Sequence, residues 1–290
     1  MGSSLWQIAA AREAEALILE LGISTLPVCP FAIARELDIE VRPLPTTKRG
    51  VSGMLLRFND VFGIFFATYL GNAGFERFSV GHEIGHFRLP GHPELVLRTG
   101  AHASEGGFVS KDQHELEADH FSAALLMPGK LFDRVMDRAG SGLDAVDMLA
   151  RECETSLTAT AIRYAQRTPD PVAVVVSTGQ SIDYCFMSDS LRELRGIDWM
   201  RKGSVLPRSS VTHTFNDDLA NVIGGQRTDG SSHLQEWFGG SLDVDLEEEV
   251  VGLGNYGKTL TVLTATDLPD PQESDDEQEM IDSWTPKFRR

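Results

Sequence analysis

The sequence predicts a mixed α+β fold. Residues 5–22 are rich in strong helix formers and end at a glycine, which is typical of an α-helix. Residues 53–67 form two apolar runs on either side of Asn59-Asp60, which indicates a β-hairpin. The Pro-Asp-Pro run at 169–171 marks a boundary, and further apolar strands follow it. We therefore expect helices and strands in one domain, followed by a smaller module.

The predicted elements of the first half follow one another closely. They are a helix at 5–22, a turn at 27–30, a helix at 31–37, a strand at 39–44, the hairpin at 53–67, a helix through 77–89, a loop at 100–110, a helix at 112–126 and two helices within 143–168. After the boundary, strands are predicted at 172–176, 182–186, 250–253 and 259–265.

Composition excludes several classes of protein. The 290 residues are 41% hydrophobic and 24% charged, as in an ordinary globular protein, and the net charge is −17. That charge disfavours tight, nonspecific binding to nucleic acid, because phosphates would be repelled. Cys29, Cys153 and Cys185 have no paired spacing, so we expect thiols in a reducing compartment. With no long apolar segment and no signal pattern, we expect a cytoplasmic protein that makes no membrane contact.

The helix through 77–89 carries the pattern His82-Glu83-x-x-His86. Two histidines four residues apart share one helix face, so both imidazoles can reach one metal ion, for which Zn²⁺ is the natural candidate. Glu83 is then placed to take a proton from a water molecule at the metal. Gly85 would let another backbone pack close behind the site. The alternative is a chance pattern on a surface helix.

A zinc site with two histidines needs a third protein ligand, commonly a carboxylate from a second helix. The helix at 112–126 offers these candidates: His114, Glu115, Glu117, Asp119 and His120. Glu115 and Asp119 share a face, so one can bind the metal while the other accepts a hydrogen bond from a ligand histidine. The alternative is a solvated acidic helix start, stabilised by the helix dipole.

Two further features leave alternatives open. Residues 62–67 could offer a free strand edge to an extended substrate, or could be a plain core strand. The helices within 143–168 have the outline of a helix-turn-helix, with Arg163 and Arg167 four residues apart on the second helix. An αα-hairpin that supports the preceding domain suits the acidic chain better. His120, His114 and Tyr69 are candidates for stabilising an oxyanion.

Four motifs in this order resemble the ImmA/IrrE family of bacterial metallopeptidases, and the resemblance covers about residues 8–165. They are Pro27-x-x-Pro30-x-x-Ile33-Ala34, Ser52-Gly53-Met54, RFSVGHEIGH at 77–86 and ELEADHFSAALLMP at 115–128. The resemblance implies that Glu115 is the third zinc ligand. The family usually has Asn where this chain has Asp119, which favours Asp119 as the residue that accepts a hydrogen bond from a ligand histidine. It usually has Ala where this chain has Ser122, a minor departure.

The resemblance also implies an architecture. We expect a zincin-like zinc metallopeptidase domain at 1–130 and a helical segment similar to a helix-turn-helix at 131–168. A mixed α/β module at 169–268 loosely resembles the sensor-like module of some members. Residues 269–290 are acidic and polar and are expected to be a disordered tail.

The predicted activity is hydrolysis of a peptide bond, with one Zn²⁺ per chain held by His82, His86 and Glu115 and with Glu83 as the general base. The resemblance implies a specific protein substrate, a basic helix-turn-helix repressor whose cleavage switches on stress-response or mobile-element genes. Processing of an antitoxin would leave the same sequence signature. The alternative from another class is a non-hydrolytic regulator that binds a protein partner or DNA and has a structural zinc site. A general base at residue 83 argues against that alternative, because a structural site has no use for one.

Overall fold

The computed structural model describes residues 5–44, 50–69, 71–96, 100–104, 112–194, 196–266 and 268, with only the backbone given at 95 and 96. The predicted tail at 269–290 and most of the predicted loop at 100–110 lie outside these residues. The chain divides into two compact units, residues 1–167 and 168–290. Helices and strands occur in both units, so the fold is of the mixed α+β kind.

The first unit contains the elements predicted for it, with small shifts at their ends. Its elements are α1 (Leu5–Glu20), α2 (Pro30–Glu36), β1 (Ile39–Pro43), β2 (Gly53–Phe58), β3 (Val61–Phe66), α3 (Ala73–Arg88), α4 (His92–Val96), β4 (Ala101–Ser104), α5 (Gln113–Leu126), α6 (Gly129–Met136), α7 (Gly142–Cys153) and α8 (Leu157–Arg167). Two short elements, α4 and β4, are not predicted from the sequence, and both lie between the two helices that carry the candidate metal ligands. The prediction of a loop at 100–110 is wrong for residues 101–104, which form β4 by pairing with β2.

The first sheet has the strand order β1-β3-β2-β4. β3 pairs with β1 in parallel and with β2 in antiparallel orientation, so both of its edges are occupied. The suggestion that residues 62–67 offer a free edge is therefore wrong, and the alternative of a core strand is right. β4 pairs with β2 on the opposite side and ends the described sheet there.

α3 lies at the centre of the first unit. From Ser79 to His86 every residue is buried, which is typical of a helix enclosed on all sides. Its apolar positions Val80 and Ile84 join the core with Leu55 and Ile64 of the sheet. α5 packs along α3, and Gly85 makes this possible because a β-carbon there would lie 3.2 Å from the Cα of Ala118. The predicted close approach behind the histidines is thus confirmed.

α7 and α8 form the predicted pair of helices, and they pack on α6 within the first unit. The Arg163 guanidinium donates two hydrogen bonds to the carbonyl of Met127, at 3.2 and 3.0 Å. Arg167 forms a two-pronged ion pair with Asp133, at 2.5 Å for each bond. Both arginines therefore hold α8 against the rest of the first unit, as an αα-hairpin requires.

The second unit is built on a sheet with the strand order β6-β5-β9-β8-β7, antiparallel throughout. Its elements are β5 (Val172–Thr178), β6 (Ser181–Met187), α9 (Asp189–Arg192), α10 (Val211–Asn216), α11 (Leu219–Ile223), β7 (Arg227–His233), α12 (Leu234–Phe238), β8 (Asp245–Gly252), a 3₁₀ turn (Gly254–Tyr256) and β9 (Thr259–Ala265). The predicted strand at 250–253 begins earlier, at Asp245, because Leu246, Glu248 and Val250 alternate toward the core. Because the buried position 248 carries a glutamate, the sequence does not show the alternation of apolar and polar residues that predicts a strand.

Candidate metal centre

α3 and α5 bring His82, His86 and Glu115 together. Asn72 caps the start of α3 by accepting a hydrogen bond from the Phe75 amide, and Asp112 caps α5 through the His114 amide. Glu115 lies in the first turn of α5, where the helix dipole favours a negative charge. The ligand atoms of these three residues all lie within 4.8 Å of one another. Among the described residues, this is the one group of three or more His, Cys, Asp or Glu side chains that could hold a metal ion.

The distances between these atoms suit a tetrahedral zinc ion. The Nε2 atoms of His82 and His86 are 3.0 Å apart, and the Glu115 oxygens lie 3.4 Å from His82 Nε2 and 3.1 Å from His86 Nε2. Zinc with ligands at about 2.0–2.1 Å and tetrahedral angles separates neighbouring ligand atoms by about 3.3 Å. Two imidazole nitrogens and one carboxylate are also a common donor set for zinc in hydrolytic sites. The residues present therefore fit such an ion.

In the absence of a cation, the pKa values of the three residues show which of them carries a positive charge. Burial lowers the pKa of His82, but hydrogen bonds to Asp119 and Glu115 outweigh it and raise that pKa to about 10. Burial lowers the pKa of His86 to about 3, so this ring is neutral beside the charged one. Burial raises the pKa of Glu115, but hydrogen bonds from His102, His82 and His86 hold it well below its usual range. Binding of a cation must therefore release a proton from His82.

Asp119 supports His82 from behind. Its Oδ1 atom lies 2.8 Å from His82 Nδ1, and both side chains are almost completely buried. A carboxylate at this distance keeps the proton on Nδ1 and leaves Nε2 directed at the cluster. The geometry is the one that the proposed role of Asp119 requires.

His86 has a different supporting group, His92. The Nδ1 atoms of the two rings are 3.2 Å apart, and His92 Nε2 lies 2.7 Å from Glu117 Oε2. From the sequence we predict no role for His92 and treat Glu117 only as a candidate ligand. The first helical turn of α4 carries His92, and the pattern Pro-Gly-His gives no indication of it. Burial lowers the pKa of His92 despite its bond to Glu117.

His102 is a second residue that sequence reasoning missed. It lies on β4, where it is paired with Leu55, and its Nε2 atom is 2.7 Å from Glu115 Oε1. Its side chain is 23% exposed, so it faces both the cluster and solvent. The hydrogen bond to Glu115 raises the pKa of His102 and favours the donor form. A lone histidine in a weakly predicted segment gives no sequence signal of this position.

Glu83 lies beneath β2. Both of its carboxylate oxygens are buried. Burial raises the pKa of Glu83 to about 7, although the neighbouring His82 acts in the opposite direction. A carboxylate that titrates near neutrality, beside three converging ligands, is suited to accept and return a proton.

The other candidates from the sequence lie elsewhere. His114 is paired with Asp112 at 3.2 Å, and its ring packs against His92. His120 packs edge-on against Trp6, with ring centroids 5.5 Å apart. Tyr69 packs against Phe75 with ring centroids 6.5 Å apart. Of the described residues, His102 thus lies closer to the cluster than any of these three oxyanion candidates.

A mixed α+β unit with two helices that converge on a His-His-Glu cluster defines a metallopeptidase-like class of protein. Residues 34–164 match the family model Peptidase_M78, described as the IrrE N-terminal-like domain. The resemblance to the ImmA/IrrE family that we read from the sequence is thus confirmed for this segment.

One curated relative and one solved structure illustrate the similarity. The radiation response metalloprotease IrrE of Deinococcus deserti is 34% identical over 101 residues, which make up 35% of this chain. The match also spans 35% of that protein, so the chain matches about a third of the relative's length. A transcriptional regulator of Mycobacterium tuberculosis shares the fold, with a TM-score of 0.54 and 16% identity over 89% of this chain and 76% of that one. Within the described residues, no helix is long and apolar enough to cross a bilayer.

Proposed function

We propose that this protein is a zinc-dependent endopeptidase whose zinc ion is held by His82, His86 and Glu115. The observation that carries the proposal is the set of separations between the ligand atoms, 3.0, 3.1 and 3.4 Å, next to the buried carboxylate of Glu83. When bound, zinc would polarise the scissile carbonyl and lower the pKa of a water molecule.

Two side chains near the cluster have separate roles in the proposed hydrolysis. Glu83 accepts a proton from the attacking water and delivers it to the leaving amine, for which a pKa of about 7 is well suited. His102 lies 2.7 Å from a Glu115 oxygen on the strand beside the cluster, and is the residue we assign to stabilise negative charge on the substrate carbonyl.

The substrate backbone would bind along β4. The bond from the Arg57 amide to the Gly100 carbonyl, together with the register of β2 and β4, directs the peptide groups of His102 toward β2. The same alternation directs the N–H and C=O of Ala103 to the opposite side. An extended peptide can pair there without a demand for one sequence, so substrate selection must depend on other surfaces.

We infer that the substrate is a basic helix-turn-helix repressor in a stress-response or mobile-element switch. Two observations support this: the relative from Deinococcus deserti is named a radiation response metalloprotease, and the net charge of −17 would attract a basic protein. All three cysteines are free thiols, which agrees with action in the cytoplasm. Direct binding to DNA is not part of the proposal.

The test compares three variants of the site and one control variant with wild type, for zinc content and for cleavage of a helix-turn-helix protein encoded beside this one. Glu83→Gln should keep zinc and lose hydrolysis, because an amide cannot accept the water's proton. Glu115→Gln and His86→Ala should lose zinc. Glu76→Gln, on the same helix as Glu83 but in its first turn, is the matched control and should change neither property. Full zinc content in His86→Ala would refute the site, and cleavage by Glu83→Gln would refute Glu83 as the general base. Absence of cleavage by the zinc-loaded wild type would favour the non-hydrolytic alternative.

A further inference from the structure

The two histidines of the proposed zinc site are supported by unlike partners. His82 Nδ1 faces the carboxylate of Asp119 directly, at 2.8 Å. His86 Nδ1 instead faces another imidazole nitrogen, His92 Nδ1, at 3.2 Å. A nitrogen–nitrogen contact requires one ring to donate and the other to accept, so the two rings must hold their protons in matched positions.

Binding of a cation at His86 Nε2 determines where these protons lie. With Nε2 bound, His86 carries its proton on Nδ1 and donates it to His92 Nδ1. His92 must then carry its own proton on Nε2, where it can donate to Glu117 Oε2 at 2.7 Å. Glu117 is held in turn by a hydrogen bond from Gln113 Nε2 to its Oε1, also at 2.7 Å. In this series of hydrogen bonds, every donor meets an acceptor in only one arrangement of the protons.

Burial makes this arrangement effective. His86 and His92 have side chains that are 0% and 2% exposed, so water does not offer either ring an alternative partner. An imidazole with the opposite tautomer would place two N–H groups, or two lone pairs, against each other in a buried space, which is costly. Glu117 is less buried, and its hydrogen bond with His92 connects the two histidines to α5.

We propose that His92 and Glu117 act as a positioning pair that selects the metal-binding tautomer of His86 and fixes the orientation of its ring. The proposal rests on the proposed zinc site and adds to it two residues that do not touch the metal. It also implies that the site depends on three elements, because α4 supplies His92 while α3 and α5 supply the ligands.

The first test is zinc affinity, measured by competition with a chelator on the full-length protein. His92→Ala should weaken binding about 10- to 100-fold, the usual cost of removing a group that orients a metal ligand. His92→Asn should recover much of that loss, since its Oδ1 can still accept the His86 proton. Glu117→Ala should fall between wild type and His92→Ala. His114→Ala is the matched control, because this ring packs on His92 but is paired with Asp112, and its affinity should equal that of wild type.

The second test observes the tautomers in the zinc-loaded wild-type protein by long-range ¹H–¹⁵N correlation of the imidazoles. His92 should show an unprotonated Nδ1 and a protonated Nε2, and His86 a protonated Nδ1. A protonated Nδ1 on His92 would overturn the proposal, as would an unchanged zinc affinity in both His92→Ala and Glu117→Ala. These outcomes differ from failure of the proposed function, in which His86→Ala itself would retain zinc.

Discussion

The carboxylate of Glu83 lies directly against the backbone of Gly53. A β-carbon on Gly53 would lie 2.5 Å from Glu83 Oε1 and 3.0 Å from its Cγ, so β2 covers the proposed general base without leaving space for a side chain. The motif Ser52-Gly53-Met54 therefore has a physical reason, which is the close approach of β2 to α3 at the proton-transferring residue.

Gly53→Ala should accordingly displace Glu83 and abolish most of the hydrolysis while zinc is retained. Overpacking of a buried site costs about 1–3 kcal/mol, so the protein should still fold. Zinc content, thermal unfolding and cleavage rate measured on one preparation test this. Gly63→Ala is the control, because its β-carbon would have its nearest neighbour at 3.7 Å. Normal cleavage by Gly53→Ala would show that Glu83 has room to move.

The second prediction concerns the contact between α3 and α5. The Ser122 hydroxyl donates to the Phe78 carbonyl at 2.8 Å and lies 2.5 Å from where a β-carbon of Gly81 would be. Gly81→Ala should therefore destabilise the fold by about 1–3 kcal/mol. Adding Ser122→Ala should recover part of this loss, because it removes the atom that clashes. Denaturation midpoints of the two single variants and the double variant form the cycle, and strictly additive losses would contradict the prediction.

The third prediction is a pH dependence of the metal-free protein. The folded pKa of Glu83 is raised from 4.5 to about 7, so the folded state binds this proton more tightly than the unfolded state. Its contribution to stability is fully present below about pH 4.5 and is lost as pH rises through about 7. Glu83→Gln has no such group, so it should gain stability relative to wild type between pH 5 and 8, by up to about 3 kcal/mol. Urea denaturation in the presence of chelator measures the difference, and a constant difference would contradict it.

The fourth prediction concerns the second unit, where Glu248 is fully buried. Its Oε1 atom accepts hydrogen bonds from the Thr212 amide and hydroxyl, both at 2.6 Å, and so holds the start of α10 on the sheet. Glu248→Ala should cost about 3 kcal/mol, since it removes two buried hydrogen bonds and leaves their donors unpaired. Glu247→Ala, on the exposed face of the same strand, should cost less than about 0.5 kcal/mol. Equal losses would show that α10 does not depend on Glu248.

The fifth prediction separates binding of zinc from selection of substrate. A chain that ends at Arg167 contains every residue of the candidate metal centre and one whole compact unit. It should retain zinc and lose most of the selective cleavage of a basic repressor, because pairing along a strand edge discriminates weakly. Full-length activity should also fall with salt, as the Debye length shortens from about 10 Å at 0.1 M to about 3 Å at 1 M. Equal, salt-insensitive cleavage by both forms would locate specificity in the first unit.

Much of the site could be read from local sequence. The spacing of His82 and His86 requires a shared helix face, and their helix is present, as Ala73–Arg88, because that constraint is local. Glu115 was one of five candidates on α5, and only the resemblance to a family separated it from the others. The helical period leaves Glu115 and Asp119 on the same face, so the sequence pattern does not distinguish a metal ligand from its neighbour.

The remaining features depend on contacts between distant segments. The packing of α5 on α3 directs Glu115 at the two histidines and Asp119 at the back of His82. The spacing of residues along α5 does not determine how the helix is rotated about its own axis against α3. His92 and His102 join the cluster from α4 and β4, two short elements that local patterns did not predict. The free-edge role suggested for β3 failed for a related reason, since the order of strands in a sheet is set by pairing over long distances. The sequence determined which helix carries the chemistry, while only the tertiary structure decided which groups surround it, because side chains far apart in the chain meet through packing alone.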